Sequence, residues 1–147
     1  MEQNNDKIYI GIDVSKAKLD VVVDDSGKLI TIDNKPEGFK KLKLYFPKDK
    51  KNILVILEAT GGYETNVVKW LLEHSIPVAG VNAKRVRDYA KATGQFAKND
   101  HLDAVIIREY GIQVGHKLHP QQKKDEVEEL IDDLSRRRKQ MISSRNK

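Results

Sequence analysis

The sequence predicts an α/β fold: a mixed sheet in which a three-stranded antiparallel meander leads into βαβ units, with helices on both faces and a C-terminal helical extension. Three observations predict it. Residues 52–58 (NILVILE) form a continuous apolar run, the pattern of a strand covered on both faces. Two strand-like stretches, 19–25 and 28–33, are joined by Ser26-Gly27, a hairpin signal. From residue 36 onward, segments of helical period alternate with short apolar runs, and this alternation builds parallel strands with crossover helices.

Each element has its own warrant. Residues 7–13 (KIYIGID) are apolar at nearly every position and read as the first strand. The strands 19–25 (LDVVVDD) and 28–33 (KLITID) complete the meander. Pro36 suits the first turn of a helix over 36–46, with Phe39, Leu42 and Phe46 at helical spacing. Gly61-Gly62 ends the strand at 52–58. A helix over 64–74 turns Val67, Val68, Leu71 and Leu72 inward, and 77–81 is a short strand. Helices follow over 83–93 and 100–114. Pro120 marks a domain boundary, so the expected units are 1–119 and 120–147.

The chain has 147 residues, enough for one domain with a proper core. It contains no cysteine, which excludes disulfides, thiolate metal sites and cysteine nucleophiles. Nothing approaches the roughly 20 apolar residues of a membrane span, and MEQNNDKIYI does not open like a secretory signal. A cytoplasmic protein that does not meet the membrane is expected. Lys and Arg outnumber Asp and Glu by 27 to 22, and the resulting +5 favours a polyanionic partner. The tail is segregated. Six acids fall within 123–133, whereas 136–147 holds Arg136, Arg137, Arg138, Lys139, Arg145 and Lys147 with no acid. Val127, Leu130, Ile131, Leu134, Met141 and Ile142 form a narrow apolar stripe there, with Arg138 on the same seam. Such a helix is expected to associate with a second copy, antiparallel, so that acidic and basic blocks meet; the alternative is that it folds back on the chain's own sheet.

Four carboxylates carry the chemical reading. Asp13 ends the first strand and Glu58 ends the strand at 52–58. If those strands are parallel neighbours, both acids emerge at one end of the sheet, where open α/β sheets bind ligands. Two carboxylates held together call for a cation. Alternatively, each acid caps its own turn. Asp100 and Asp103 lie three apart and share a face if they are helical; alternatively Asn99 or Asp100 is an N-cap and Asp103 only favours the first turn. All four donors are hard oxygens, which suit Mg²⁺ or Mn²⁺, and two such ions clamp the oxygens of a phosphodiester. Between the pairs lie Lys84, Arg85, Arg87, Lys91 and Lys98 against Asp88. Lys84, Arg87 and Lys91 share a helix face, a path for a nucleic-acid backbone or simply a solvated surface. His116 and His119 have no third ligand nearby and read as surface residues; Trp70 reads as core, and Tyr89 is placed on the basic face. No serine has a recognisable base partner, and no phosphate-binding glycine loop is present.

The segments GIDVSK (11–16), LEATGGYE (57–64), VNAKRVRDYAKATG (81–94) and AKNDHLDA (97–104), in this order, resemble the amino-terminal domain of the DEDD transposases of bacterial insertion sequences. These are relatives of the Piv and MooV DNA invertases, also called bridge recombinases. The resemblance covers residues 7–115. It implies a RuvC-like, ribonuclease H-like fold with the strands of Asp13 and Glu58 side by side. It also implies a catalytic tetrad of Asp13, Glu58, Asp100 and Asp103 holding two Mg²⁺ or Mn²⁺ ions, and DNA as substrate, with a guide RNA as a further partner. Two departures are visible: Asn82-Ala83 stands where Asn-Pro is common, and Asn99 where Thr or Ser is common. Neither is a carboxylate. Family members continue through a coiled segment into a second domain that carries a serine nucleophile. This chain is therefore expected to be a part of such an enzyme, inactive alone, that works at the nucleoid. Two other classes remain open: a nucleic-acid-binding module without catalysis, and one half of an actin-like or sugar-kinase ATPase, which GIDVSKAKLD faintly resembles but which needs a second phosphate loop.

Overall fold

The computed structural model describes residues 7–48, 52–58, 61–94, 103–121, 131 and 134–139. Three strands open the fold: β1 (Ile8–Val14), β2 (Lys18–Val22) and β3 (Ile30–Asp33). They are followed by α1 (Pro36–Tyr45), β4 (Ile53–Glu58), α2 (Thr65–Glu73), β5 (Val78–Val81), α3 (Ala83–Ala92) and α4 (Ala104–Val114). The sheet order is β3-β2-β1-β4-β5. β1 and β2, and β2 and β3, run antiparallel; β1 and β4, and β4 and β5, run parallel. The expected mixed sheet is therefore formed, with β4 inserted beside β1.

The apolar run of β4 reflects its place between two helical layers. Ile53, Val55 and Leu57 pack with Ile10, Ile12 and Val14 of β1 against Phe39 and Leu42 of α1 and Val67 and Leu71 of α2. Leu54 and Ile56 point the other way, into a second core with Ala79, Val81, Val86, Ala90, Ile106, Ile107 and Tyr110. Strand alternation thus sends successive β4 residues into different cores. α1 and α2 cover one face; α3 and α4 cover the other.

On the α4 side, β1 presents a glycine at the crossing point. A Cβ at Gly11 would collide with the Ala104 carbonyl oxygen and sit 2.8 Å from Arg108 Cβ. Gly111 likewise allows Ile56 to approach, since a Cβ there would lie 2.5 Å from Ile56 Cγ1. α4 therefore lies close on β1 and β4, and Arg108 Nε donates to the Tyr9 carbonyl at 2.7 Å.

Two expected boundaries are corrected. The strand at 19–25 stops at Val22, and a loop over 23–29 replaces the tight hairpin. Asp24 is the cause: its Oδ1 accepts from Ser26 N at 3.0 Å and Ser26 Oγ at 2.6 Å, an Asx turn that draws the backbone out of the ladder. These bonds also hold the Asp24 carboxyl below its ordinary range. The helix expected over 100–114 begins instead at Ala104, because Asp103 caps it.

Candidate metal centre

β1, β3, β4 and β5 all point the same way, so their carboxyl ends share one pole of the sheet. Ile12 pairs with Leu57, and Asp13 and Glu58 follow one residue later on their strands. Equal steps along parallel neighbours put both side chains on one face, the α3–α4 face that Gly11 and Ile56 also share. Both acids are half-buried. Burial pushes the Glu58 carboxyl above its ordinary range, and the Arg87 guanidinium opposes that shift. With a raised value in the fold, the ionised form of Glu58 detracts from stability as pH rises through that value.

A third acid belongs to this face. Asp20 of β2 lies directly opposite Asp13, and its Oδ1 accepts from Thr31 Oγ1 on β3 at 2.7 Å. Its signal in the sequence was the alternation Leu19-Asp20-Val21, in which Leu19 and Val21 go to the core. Placing it against Asp13 requires the register of the first two strands.

Asp103 is the N-cap of α4, with Oδ1 accepting from Ile106 N at 2.9 Å. Asp103 therefore stands at the cap and not inside the helix; how it lies relative to Asn99 and Asp100 falls outside the described residues. The reason is local: a carboxylate at the cap satisfies an N–H that the first turn leaves open. Because Ala104 sits over Gly11, α4 starts at the same pole as Asp13. Asp100 and Lys98 lie outside the described residues. Among the described residues, no group of three or more His, Asp or Glu side chains is drawn together tightly enough to hold an ion. The donors at this pole are carboxylate oxygens, which fit a hard divalent cation and not zinc.

α3 lies beside these acids. Asn82 caps it, its Oδ1 accepting from Lys84 N at 2.8 Å and Arg85 N at 3.3 Å. Val86 and Ala90 are buried, which leaves Lys84, Arg85, Arg87 and Lys91 exposed as expected. Asp88 stands among them and pairs with Lys84 at 3.5 Å. Tyr89 is corrected: it is half-buried and packs edge-on against Tyr110 at 5.7 Å, on the inner side of α3. Trp70 packs on the core and stacks on His74 at 4.0 Å. His116 and His119 are exposed. Among the described residues, no helix is long and apolar enough to cross a membrane.

A family model for transposases of the IS110 DEDD type matches residues 10–147. The chain belongs to the IS110-type DEDD transposases. This transposase chain is 28% identical over 148 residues to the pilin gene-inverting proteins of Moraxella lacunata and Moraxella bovis. The match takes in 96% of the chain and 46% of each relative, so it spans just under half of their length. Among solved structures, it resembles T. thermophilus RuvC, determined in complex with a Holliday junction substrate. The TM-score is 0.51 at 14% identity, over 78% of this chain and 99% of that one. The transposase fold is RuvC-like, as the motifs implied.

Proposed function

We propose that residues 1–119 form the metal-binding catalytic domain of a DNA recombinase, and that Asp13, Glu58, Asp100 and Asp103 hold two Mg²⁺ or Mn²⁺ ions. The observation that carries this reading is the placement of Asp13 and Glu58 at the ends of adjacent parallel strands, on one face of a RuvC-like sheet. Asp103 would keep Oδ1 on the Ile106 N–H and offer its second oxygen. The ions, when bound, supply charge neutralisation at the scissile phosphate and its leaving oxygen. Asp13 and Glu58, fixed by the sheet, set where that phosphate must lie. A serine from a domain beyond residues 120–147 would attack it, so this chain alone is expected to exchange no strands.

The direct test is a calorimetric titration of the chain with Mn²⁺. Binding that is lost in both Asp13→Asn and Glu58→Gln supports the site. Equal binding by wild type and both variants refutes it.

Lys84, Arg87 and Lys91, with Arg85 and Lys98, would contact the DNA backbone, and a guide RNA offers the same phosphates. Such contacts are salt-sensitive and tolerant of sequence. Changing Lys84, Arg87 and Lys91 to Glu is expected to weaken binding to all sequences alike. It should also flatten the plot of log affinity against log salt by roughly one unit per lost contact. An unchanged slope would show that the face is only solvated.

The tail is proposed as the start of a coiled-coil helix that joins two copies. Residues 131 and 134–139 are helical, and Ile131 and Leu134 are 56% and 53% exposed. Light scattering should report a dimer for the whole chain and a monomer for one ending at Gln121. Monomers in both cases would remove the claim. A recombinase of this kind would work at the bacterial nucleoid in the cytoplasm.

A further inference from the structure

Four connections leave the sheet at the pole of Asp13 and Glu58, and three of them, after β1, β3 and β4, meet one another. The residue that follows β3 is Asn34, and it reaches both of the others. Its backbone N–H donates to the Ala17 carbonyl at 2.9 Å. Its side-chain Nδ2 donates to the Ser15 carbonyl at 2.8 Å and to the Tyr63 carbonyl at 3.1 Å. Ser15 lies two residues beyond Asp13, and Tyr63 five beyond Glu58.

The amide can be oriented only one way. Both Nδ2 hydrogens are used on backbone carbonyls, and the reversed amide would set Oδ1 against two carbonyl oxygens. In the observed orientation Oδ1 is buried and has no hydrogen-bond partner among the described residues. A buried acceptor left unpaired is unfavourable, so the two donated bonds must more than offset it. A side chain retained only to close its own turn would not need a second loop. What the second loop adds is a fixed distance between two backbones that each lead away from an acid. Asp13 and Glu58 are carboxylates on one face at the ends of neighbouring strands, and an ion shared between them requires their spacing to be held.

We propose that Asn34 is a positioning residue: by tying the loop after β1 to the loop after β4, it fixes the spacing of Asp13 and Glu58 and so sets the affinity of this pole for a divalent cation. The inference rests on the metal-site reading above. Outer residues that hold a ligand in place typically change metal affinity by about 10- to 100-fold when removed.

The experiment is a set of Mn²⁺ titrations on the whole chain at 25 °C. Asn34→Ala removes the amide, and Asn34→Leu removes both donors while keeping a branched side chain of the same heavy-atom count. Both are expected to bind Mn²⁺ about tenfold more weakly, with unchanged far-UV circular dichroism. Lys18→Met serves as the control. It deletes the ion pair of Lys18 with Asp33, the neighbour of Asn34, but leaves the tie intact. Its Mn²⁺ affinity should equal that of wild type. In the recombinase that contains this domain, Asn34→Leu should raise the Mg²⁺ concentration at half-maximal rate and keep the rate at saturating Mg²⁺. Wild-type Mn²⁺ affinity in both Asn34 variants, an equal loss in Lys18→Met, or a rate deficit that saturating Mg²⁺ does not repair would each overturn the proposal. Failure of the underlying reading looks different: wild type then binds no Mn²⁺, or Asp13→Asn binds it as well as wild type does.

Discussion

Under the proposed role, Asp13→Asn is expected to abolish strand exchange, a loss of roughly a thousandfold or more, equivalent to about 4 kcal/mol of transition-state stabilisation. Asn keeps the shape of Asp and removes its charge. Its neighbours on the face are Asp20, directly across the β1–β2 ladder, and Glu58, one strand over. The near-isosteric side chain leaves the β1 ladder and the packing beneath it unchanged, so the variant should still fold and melt cooperatively in the presence of EDTA. Loss of activity at intact stability therefore separates a chemical role from a structural one. Exchange of strands on a supercoiled plasmid, measured beside thermal melting, gives both readings. Recombination within tenfold of wild type would end the catalytic assignment.

Gly11→Ala should have the largest effect on stability of any single methyl added to the sheet. The new Cβ meets backbone, the Ala104 carbonyl, as well as the Arg108 Cβ, and neither has a flexible end that can swing aside. α4 must lift from β1, which loosens the packing of Ile106, Ile107 and Tyr110. Overpacking of this kind costs about 3 kcal/mol or more. Gly80→Ala is the internal control. There the nearest atom is the Gln121 side-chain nitrogen at 3.1 Å, the tip of a flexible, exposed group, and the change should stay within about 0.5 kcal/mol. Urea unfolding of the two variants gives the comparison. A Gly11→Ala loss below about 1 kcal/mol would mean that the close contact of α4 is not required.

The parts of this molecule that were legible in the sequence are those written in local patterns. The apolar run of β4 could belong only to a doubly covered strand, and its terminal Glu58 was therefore placed correctly. Asp13 followed from the end of β1. Asp20 was missed because its position opposite Asp13 depends on the register of β1 and β2, a pairing that no single strand encodes. Asp103 was misplaced because helical period does not reveal the first residue of a helix; a cap is decided by one hydrogen bond, here to Ile106 N. Tyr89 lies on the inner side of α3 and not on its basic face because the ring of Tyr110, on another helix, determines where it packs, and no pattern within α3 encodes that contact. Asn34 left no sequence signal: its two acceptors are backbone carbonyls in loops far apart along the chain.

The insertion of β4 beside β1 has a consequence for how this protein comes into being. β1, β2 and β3 pair through short connections, so their meander can close while the rest of the chain is still being made. β4 must instead bring Ile53 to Ile8 and Leu57 to Ile12, across the whole meander and α1. Loop closure over that span is entropically dearer and slower than hairpin formation. Until it happens, Asp13 already stands opposite Asp20 while Glu58 is elsewhere. The meeting of Asp13 and Glu58 at one pole is thus a product of the long-range step in folding, and a nascent chain that has not yet added β4 has the first acid in place without the second.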